Sequence, residues 1–194
     1  MARTLIVPGI DGSPPPHWQH WWAATRPGAE LIEQDDWSRP IPEAWEGRVA
    51  RAALRRPGAI VVAHSLGCLV VARLLRTWPD LPIAGALLVA PADPSRNFRL
   101  QAFEAIPEGP LGAPVMVAAS RNDPCIDFGR AAAWGRSWRA DIVDLGYAGH
   151  VNVASGFGPW PEGLALYDEL AQLIELQSPP PSVRLDSRRV GWAQ

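Results

Sequence analysis

The segment 59–75 constrains this chain more than any other, because it joins an apolar β-type run to an apolar helical run through one short turn. Ser65 stands at the turn, and a helix that begins at Leu66 would point its positive N-terminal end at any anion formed beside the serine. The usual nucleophile elbow has glycine two residues on either side of the serine. Here Gly67 is present and Ala63 takes the first position, and alanine is the next smallest side chain. The segment therefore predicts a strand, a nucleophile elbow and a helix.

Strand-like and helix-like segments alternate along the rest of the chain. The predicted strands are 4–7, 30–34, the run from 59, 83–89, 115–119 and 141–145. The predicted helices are 17–24, 42–54, 66–78, 128–138 and 164–177. This alternation predicts a three-layer α/β/α sandwich, in which helices cover both faces of a mostly parallel six-stranded sheet. The domain is expected to span residues 1–177, and the change of composition after it predicts an extended tail over 178–194.

Composition and charge exclude several classes of function. A net charge of −2 attracts neither nucleic acid nor a membrane surface. All 18 basic residues are arginine, so no lysine is available for Schiff-base chemistry. Cys68 and Cys125 are too few and too far apart for a disulfide framework, and neither a signal peptide nor a membrane-spanning run is visible. We therefore expect a cytoplasmic protein that needs no cofactor.

Two further polar residues follow predicted strands in the order that an activated serine requires. Such a serine needs a base in contact with it and an acid that orients the base, and in hydrolases built on this kind of sheet the chain order is serine, acid, histidine. Asp123 follows the fifth strand and His150 follows the sixth, so both are expected at the same sheet edge as Ser65. Asp93, after the fourth strand, is the alternative acid, and we prefer Asp123.

The oxyanion donors and the substrate-binding residues are predicted from their positions next to the expected site. The backbone N–H of Leu66 is one expected oxyanion donor, and Ile10 or Asp11 in the turn after the first strand would supply the second. The expected substrate-binding residues are His17, Trp18 and Trp160.

A histidine pair and one long loop each allow a functional and a purely structural interpretation. His17 and His20 are spaced like metal ligands on a helix, but no third ligand is evident nearby, so no metal site is predicted. Apolar residues in the loop 91–114 could form a small lid or could belong to the core, and the sequence leaves both open.

Several motifs together resemble a known family, the small single-domain α/β-hydrolases typified by the retinoblastoma-binding-protein serine hydrolases and their bacterial relatives. The resembling motifs are V-P-G (7–9), H-W-Q-H-W-W (17–22), A-H-S-L-G-C (63–68), S-R-N-D-P (120–124), A-A-A-W-G (131–135) and G-H-V-N-V-A-S-G-F-G-P-W-P-E-G (149–163). The resemblance implies a compact α/β-hydrolase fold without a large cap domain. It also implies Ser65 as nucleophile, Asp123 as acid and His150 as base.

These observations predict a serine hydrolase that cleaves small or short-chain acyl esters through an acyl-enzyme. Its expected partner is therefore a small acyl substrate, and the sequence sets no oligomeric state. The alternative is a partner-binding protein that keeps the hydrolase fold with weak or vestigial esterase activity. A third possibility is acyl transfer, in which another nucleophile outcompetes water.

Overall fold

A computed structural model describes residues 3–177 of the chain. Six strands form one sheet in the order β2-β1-β3-β4-β5-β6, and every neighbouring pair is parallel. The strands are β1 (Thr4–Val7), β2 (Ala29–Leu31), β3 (Ala59–His64), β4 (Ile83–Val89), β5 (Val115–Ala119) and β6 (Asp141–Asp144). The helices are α1 (Trp18–Thr25), α2 (Pro42–Arg55), α3 (Leu66–Thr77), α4 (Phe128–Trp138) and α5 (Pro161–Gln177). The predicted α/β fold is confirmed.

Alternate side chains of the central strands separate the core into two layers. Val61 and Ala63 of β3 pack with α2 and α3, whereas Ile60 and Val62 pack on the opposite face with α1 and α5. This period of two follows from the pleat of a strand, and both faces are apolar because helices cover both. Helix α3 lies at the centre and its first ten residues are almost entirely buried.

Most predicted boundaries agree with the structure to within two residues, and two differ by more. Strand β2 ends at Leu31 rather than at residue 34, because pairing with β1 stops at Leu31. Helix α5 begins at Pro161 rather than at residue 164. Proline is tolerated in the first turn of a helix, because an N–H there would have no intrahelical partner.

The loop 91–114 contains two short 3₁₀ helices, Pro94–Arg96 and Phe98–Phe103. Leu100 and Phe103 belong to the hydrophobic core, whereas Phe98 is exposed. The loop is thus mainly an extension of the core. The predicted tail, 178–194, lies outside the described residues. Within residues 3–177, no helix combines the length and the apolar character that crossing a membrane requires.

Candidate active site

Ser65 lies between β3 and α3 in a backbone conformation that few residues other than glycine adopt. Its φ is 54° and its ψ is −121°. Two glycines make this turn possible: a Cβ on Gly9 would come within 2.7 Å of the Ser65 Cβ, and a Cβ on Gly67 would meet the carbonyl oxygens of Val7 and Pro8. Strained positive-φ residues persist where the surrounding structure holds them, and such positions cluster at functional sites.

Ser65, His150 and Asp123 form one continuous chain of hydrogen bonds. His150 Nε2 lies 3.0 Å from Ser65 Oγ, and His150 Nδ1 lies 2.9 Å from each carboxylate oxygen of Asp123. All three residues are buried, with relative exposures of 6% for Ser65, 6% for Asp123 and 8% for His150. The structure thus brings together the three side chains that the sequence analysis placed at this sheet edge.

Backbone and side-chain contacts hold the His150 loop over the serine. The His150 N–H donates to Ser155 Oγ at 3.0 Å, and the neighbouring Gly149 N–H donates to Asn122 Oδ1 at 2.8 Å. The next residue, Val151, has φ 50°, which is a strained conformation for a β-branched residue. Its carbonyl accepts a hydrogen bond from the Trp18 indole N–H at 2.8 Å. The imidazole is therefore fixed by its own loop and by α1.

A cavity of about 560 Å³ opens in front of Ser65 and His150. Its wall combines residues Gly9 to Gly12 of the turn after β1, the prolines 14–16, and residues of the loops after β4, β5 and β6. A volume in this range suits a small organic ligand.

Comparisons with known proteins identify the family of this chain. The serine hydrolase family model matches residues 4–169. A structure from Pectobacterium atrosepticum, described as a YdeN-like hydrolase, is 34% identical, with 90% of this chain and 92% of that chain covered and a TM-score of 0.81. The chain belongs to the serine hydrolase family.

Two more distant structures share the fold of this serine hydrolase, and their similarity supports the fold only. The ydeN gene product of Bacillus subtilis is 21% identical, covers 89% of this chain and 100% of its own, and has a TM-score of 0.72. A hydrolase of the α/β superfamily from Xanthomonas campestris pv. campestris is 15% identical, with coverages of 91% and 99% and a TM-score of 0.60. A search of the curated proteins found no significant match. The α/β-hydrolase family resemblance is confirmed, and the protein is a hydrolase.

His17, His64 and His150 of this serine hydrolase form a cluster, and the surroundings shift the pKa values of the three rings in different directions. The ring of His64 lies between those of His17 and His150, with centroid distances of 5.1 and 4.9 Å. Burial, with the charges of the other two rings, lowers the pKa of His64 well below its usual value. Burial and the charge of His150 likewise lower the pKa of His17 to about 4. Burial alone would lower the pKa of His150 too, but hydrogen bonds and charges from Asp123 and Cys125 outweigh it and raise that pKa to about 9.

His64 is a site residue that the sequence analysis missed. Its Nε2 lies 2.8 Å from the His150 carbonyl oxygen, and since a carbonyl only accepts, the His64 Nε2–H donates. This bond joins the residue before Ser65 to the backbone of His150. The available signal was a histidine that ends an otherwise apolar strand directly before Ser65.

The predicted pocket residues are only partly placed at the cavity. His17 lines it, and its Nδ1 caps α1 by accepting the Gln19 N–H. Trp18 and Trp160, which were predicted to bind substrate, instead lie in the core. Their relative exposures are 0% and 4%, and their rings pack edge to face on one another. The Trp18 indole N–H donates to the Val151 carbonyl, so this side chain helps to hold the His150 loop in place.

The turn after β1 contains Ile10 and Asp11, the two residues predicted as the second oxyanion donor, and their N–H groups differ in their partners. The Asp11 N–H donates to the Trp37 carbonyl at 3.0 Å, and both oxygens of its carboxylate bind the Arg99 guanidinium. Within residues 3–177, the Ile10 N–H has no hydrogen-bond acceptor, and Ile10 lines the cavity. Leu66 is the first residue of α3, as predicted.

Proposed function

We propose that this protein cleaves small or short-chain acyl esters through a covalent acyl-enzyme on Ser65. The observation that carries the proposal is the buried hydrogen-bonded chain from Ser65 Oγ through His150 to Asp123, which opens on the cavity. An exposed serine beside a free imidazole would be a weak nucleophile. A serine in contact with an oriented base is an activated one.

The proposed reaction begins when Ser65 Oγ attacks the acyl carbon while His150 Nε2 accepts the hydroxyl proton. Asp123 binds the Nδ1–H, which keeps Nε2 free to accept and stabilises the imidazolium that forms. The oxyanion of the tetrahedral intermediate would be bound by the N–H groups of Leu66 and Ile10. His150 then returns the proton to the leaving alcohol, and a water molecule repeats the sequence to release the acid.

The cavity favours small substrates. Its volume lies in the range that suits ligands of drug size or smaller, and the loop 91–114 contributes only short 3₁₀ segments beside it. Ile10, Leu100 and the prolines 14–16 supply apolar wall, whereas His17 and Asn152 supply polar groups. A short acyl chain would fill this space, and a long one would extend into solvent.

Labelling with a fluorophosphonate probe followed by peptide mapping tests the nucleophile. We expect a covalent adduct on Ser65, no adduct in Ser65→Ala, and a fall in kcat on the order of 10⁴ to 10⁶ in that variant. Ser137→Ala is the matched control, since Ser137 lies on α4 and only accepts the Gly109 N–H. An unlabelled Ser65 in folded protein would rule the mechanism out.

A series of p-nitrophenyl esters of increasing acyl length tests the substrate class. We expect kcat/KM to be highest for short chains and to fall as the chain outgrows the cavity. A steady rise in kcat/KM towards long-chain esters would contradict the proposed size limit while leaving the nucleophile assignment intact.

A further inference from the structure

Cys125 lies beside the two residues that support Ser65. One ligand atom from each of Asp123, Cys125 and His150 lies within 4.8 Å of the others: a carboxylate oxygen, the thiol sulfur and a ring nitrogen. Among residues 3–177 these form the one group of three histidine, cysteine or acidic side chains close enough to share a metal ion. The serine mechanism assigns the thiol no bond to form and no proton to transfer.

The three donor types suit Zn²⁺. Zinc binds cysteine sulfur at ~2.3 Å and histidine nitrogen or carboxylate oxygen at ~2.0–2.2 Å, so ligands of a tetrahedral site lie roughly 3.3–3.8 Å apart. His150 Nδ1 and the Asp123 oxygen lie 2.9 Å apart as hydrogen-bond partners, so the two atoms would separate by roughly 0.4 Å or more on binding an ion. The other ligand-atom distances are at most 4.8 Å and would shorten by about 1 Å. Three protein ligands would leave the fourth position for water.

The backbone and the surroundings of Cys125 favour such a site. Its N–H donates to Asp123 Oδ1 at 2.8 Å and its carbonyl accepts the Asp93 N–H at 3.0 Å, so the residue is held from both sides. Cys125 is half-buried and lines the cavity, which gives an ion a path from solvent. Arg96 lines the same cavity, but Asp127 pairs with it at 2.6 Å and offsets its charge.

We propose that Asp123, Cys125 and His150 form an inhibitory site for Zn²⁺ or a similar thiophilic divalent cation. On binding, the Cys125 thiol loses its proton to solvent and a metal–sulfur bond forms. His150 Nδ1 binds the metal through its lone pair, so the ring proton that it shares with Asp123 moves to Nε2. A protonated Nε2 has no lone pair to accept the Ser65 proton, and the nucleophile is switched off.

Binding does not depend on the proposed function, whereas inhibition rests on it. Metal affinity is therefore measured first, in a Ser65→Ala background that keeps all three ligands. Co²⁺ serves as the spectroscopic probe, because a cobalt–thiolate bond gives a charge-transfer band. Zn²⁺ affinity is measured by competition with a chelating indicator.

We expect a cobalt–thiolate band, a single Zn²⁺ per chain, and an affinity that falls at least about 10- to 100-fold in Cys125→Ala, since even outer-sphere changes cost that much at metal sites. Cys68→Ala is the matched control and should keep the site, because Cys68 is fully buried in the core. Unchanged Zn²⁺ affinity in Cys125→Ala, or no thiolate band, would overturn the proposal. If Zn²⁺ bound through His17 and His20 instead, the affinity would be unchanged in Cys125→Ala and no thiolate band would be seen.

The inhibitory effect is read from the rate at which a fluorophosphonate labels Ser65. Zn²⁺ should slow labelling in the protein with its native Ser65, a chelator should restore it, and Cys125→Ala should be less sensitive relative to its own metal-free rate. Metal binding that leaves the labelling rate unchanged would overturn the inhibitory assignment. An absence of labelling both with and without metal would instead contradict the proposed nucleophile, so the two failures are distinguishable.

Discussion

Asp93 and Asp123 occupy equivalent places in two neighbouring loops. Asp93 follows β4 and Asp123 follows β5, and each is buried, with 4% and 6% relative exposure. Each accepts the backbone N–H two residues ahead through its Oδ1, from Ser95 at 3.0 Å and from Cys125 at 2.8 Å. Locally the two aspartates are the same motif, a short polar side chain that closes its own turn.

The two carboxylates differ in their partners from distant segments. Asp123 binds His150 Nδ1, whereas Oδ2 of Asp93 pairs with Arg130 Nε of α4 at 2.7 Å. The Asp93 N–H donates to the Cys125 carbonyl, so the loops lie side by side. A strand end and a turn therefore place a buried carboxylate at this sheet edge, and the segment packed against it determines whether the carboxylate binds His150 or Arg130.

The largest expected effect comes from neutralising the two aspartates in turn. Asp123→Asn should lower kcat on the order of 10⁴, because the amide can stabilise the wrong tautomer of His150 and cannot stabilise its imidazolium. Asp93→Asn should cost at most about tenfold, because its partners are Ser95 and Arg130 rather than His150. Steady-state kinetics on a short-chain ester measures both. A larger loss of kcat in Asp93→Asn than in Asp123→Asn would contradict the assignment of Asp123 as the acid.

The pH dependence of kcat/KM should respond to the surroundings of Asp123 and not to those of Asp93. His150 must be unprotonated to accept the Ser65 proton, so activity should rise with pH towards a midpoint near its pKa of about 9, not near the ordinary 6.5. Two pH units below that pKa, only roughly 1% of the rings would be unprotonated.

The variants for this experiment separate the two loops. Cys125→Ser should move the midpoint down, because the thiol contributes to the raised pKa, whereas Asp93→Asn should leave it in place. A midpoint that shifts in Asp93→Asn and stays fixed in Cys125→Ser would contradict the assignment. Rates are followed across pH with a substrate that does not itself ionise.

The smallest expected effect is on stability alone. Arg130→Ala should lower the free energy of unfolding by about 1–2 kcal/mol, because the buried Asp93 loses a partner that is itself half-exposed. Urea unfolding measures the change, and kcat should stay close to that of the unaltered protein. Arg39→Ala is the matched control: its pair with Asp36 is exposed on both sides, so its loss should be smaller. An equal loss in both variants would show that Asp93 does not need Arg130.

Sequence patterns predicted the strands and helices well where the hydrophobic periodicity and the flanking turn residues agreed. The strands 83–89 and 115–119 and the helix 128–138 match the structure residue for residue, because each is bounded by turn residues and carries one clear pattern. Helix α5 begins three residues before the prediction, since a proline that opens a helix is easily read as the end of a loop.

The site was predictable only where residues follow strand ends. Ser65, Asp123 and His150 were identified in this way, and the structure brings them together. Trp18 and Trp160 could not be assigned correctly, because the sequence does not tell which face of a loop or helix turns to the cavity and which to the core. The His64 contact with the His150 carbonyl was equally invisible, since it joins segments 86 residues apart.

Sequence information was enough for the α/β alternation, the strand, turn and helix around Ser65 and the sheet edge at which polar residues gather, because these depend on short-range patterns and on the direction of parallel strands. The three-dimensional packing was needed to show which aspartate faces His150, which amide in the turn after β1 stays free and which aromatic rings are buried. Those outcomes depend on contacts between segments far apart in the chain. Their geometry is set by how helices and loops pack on the finished sheet, and no local pattern encodes it.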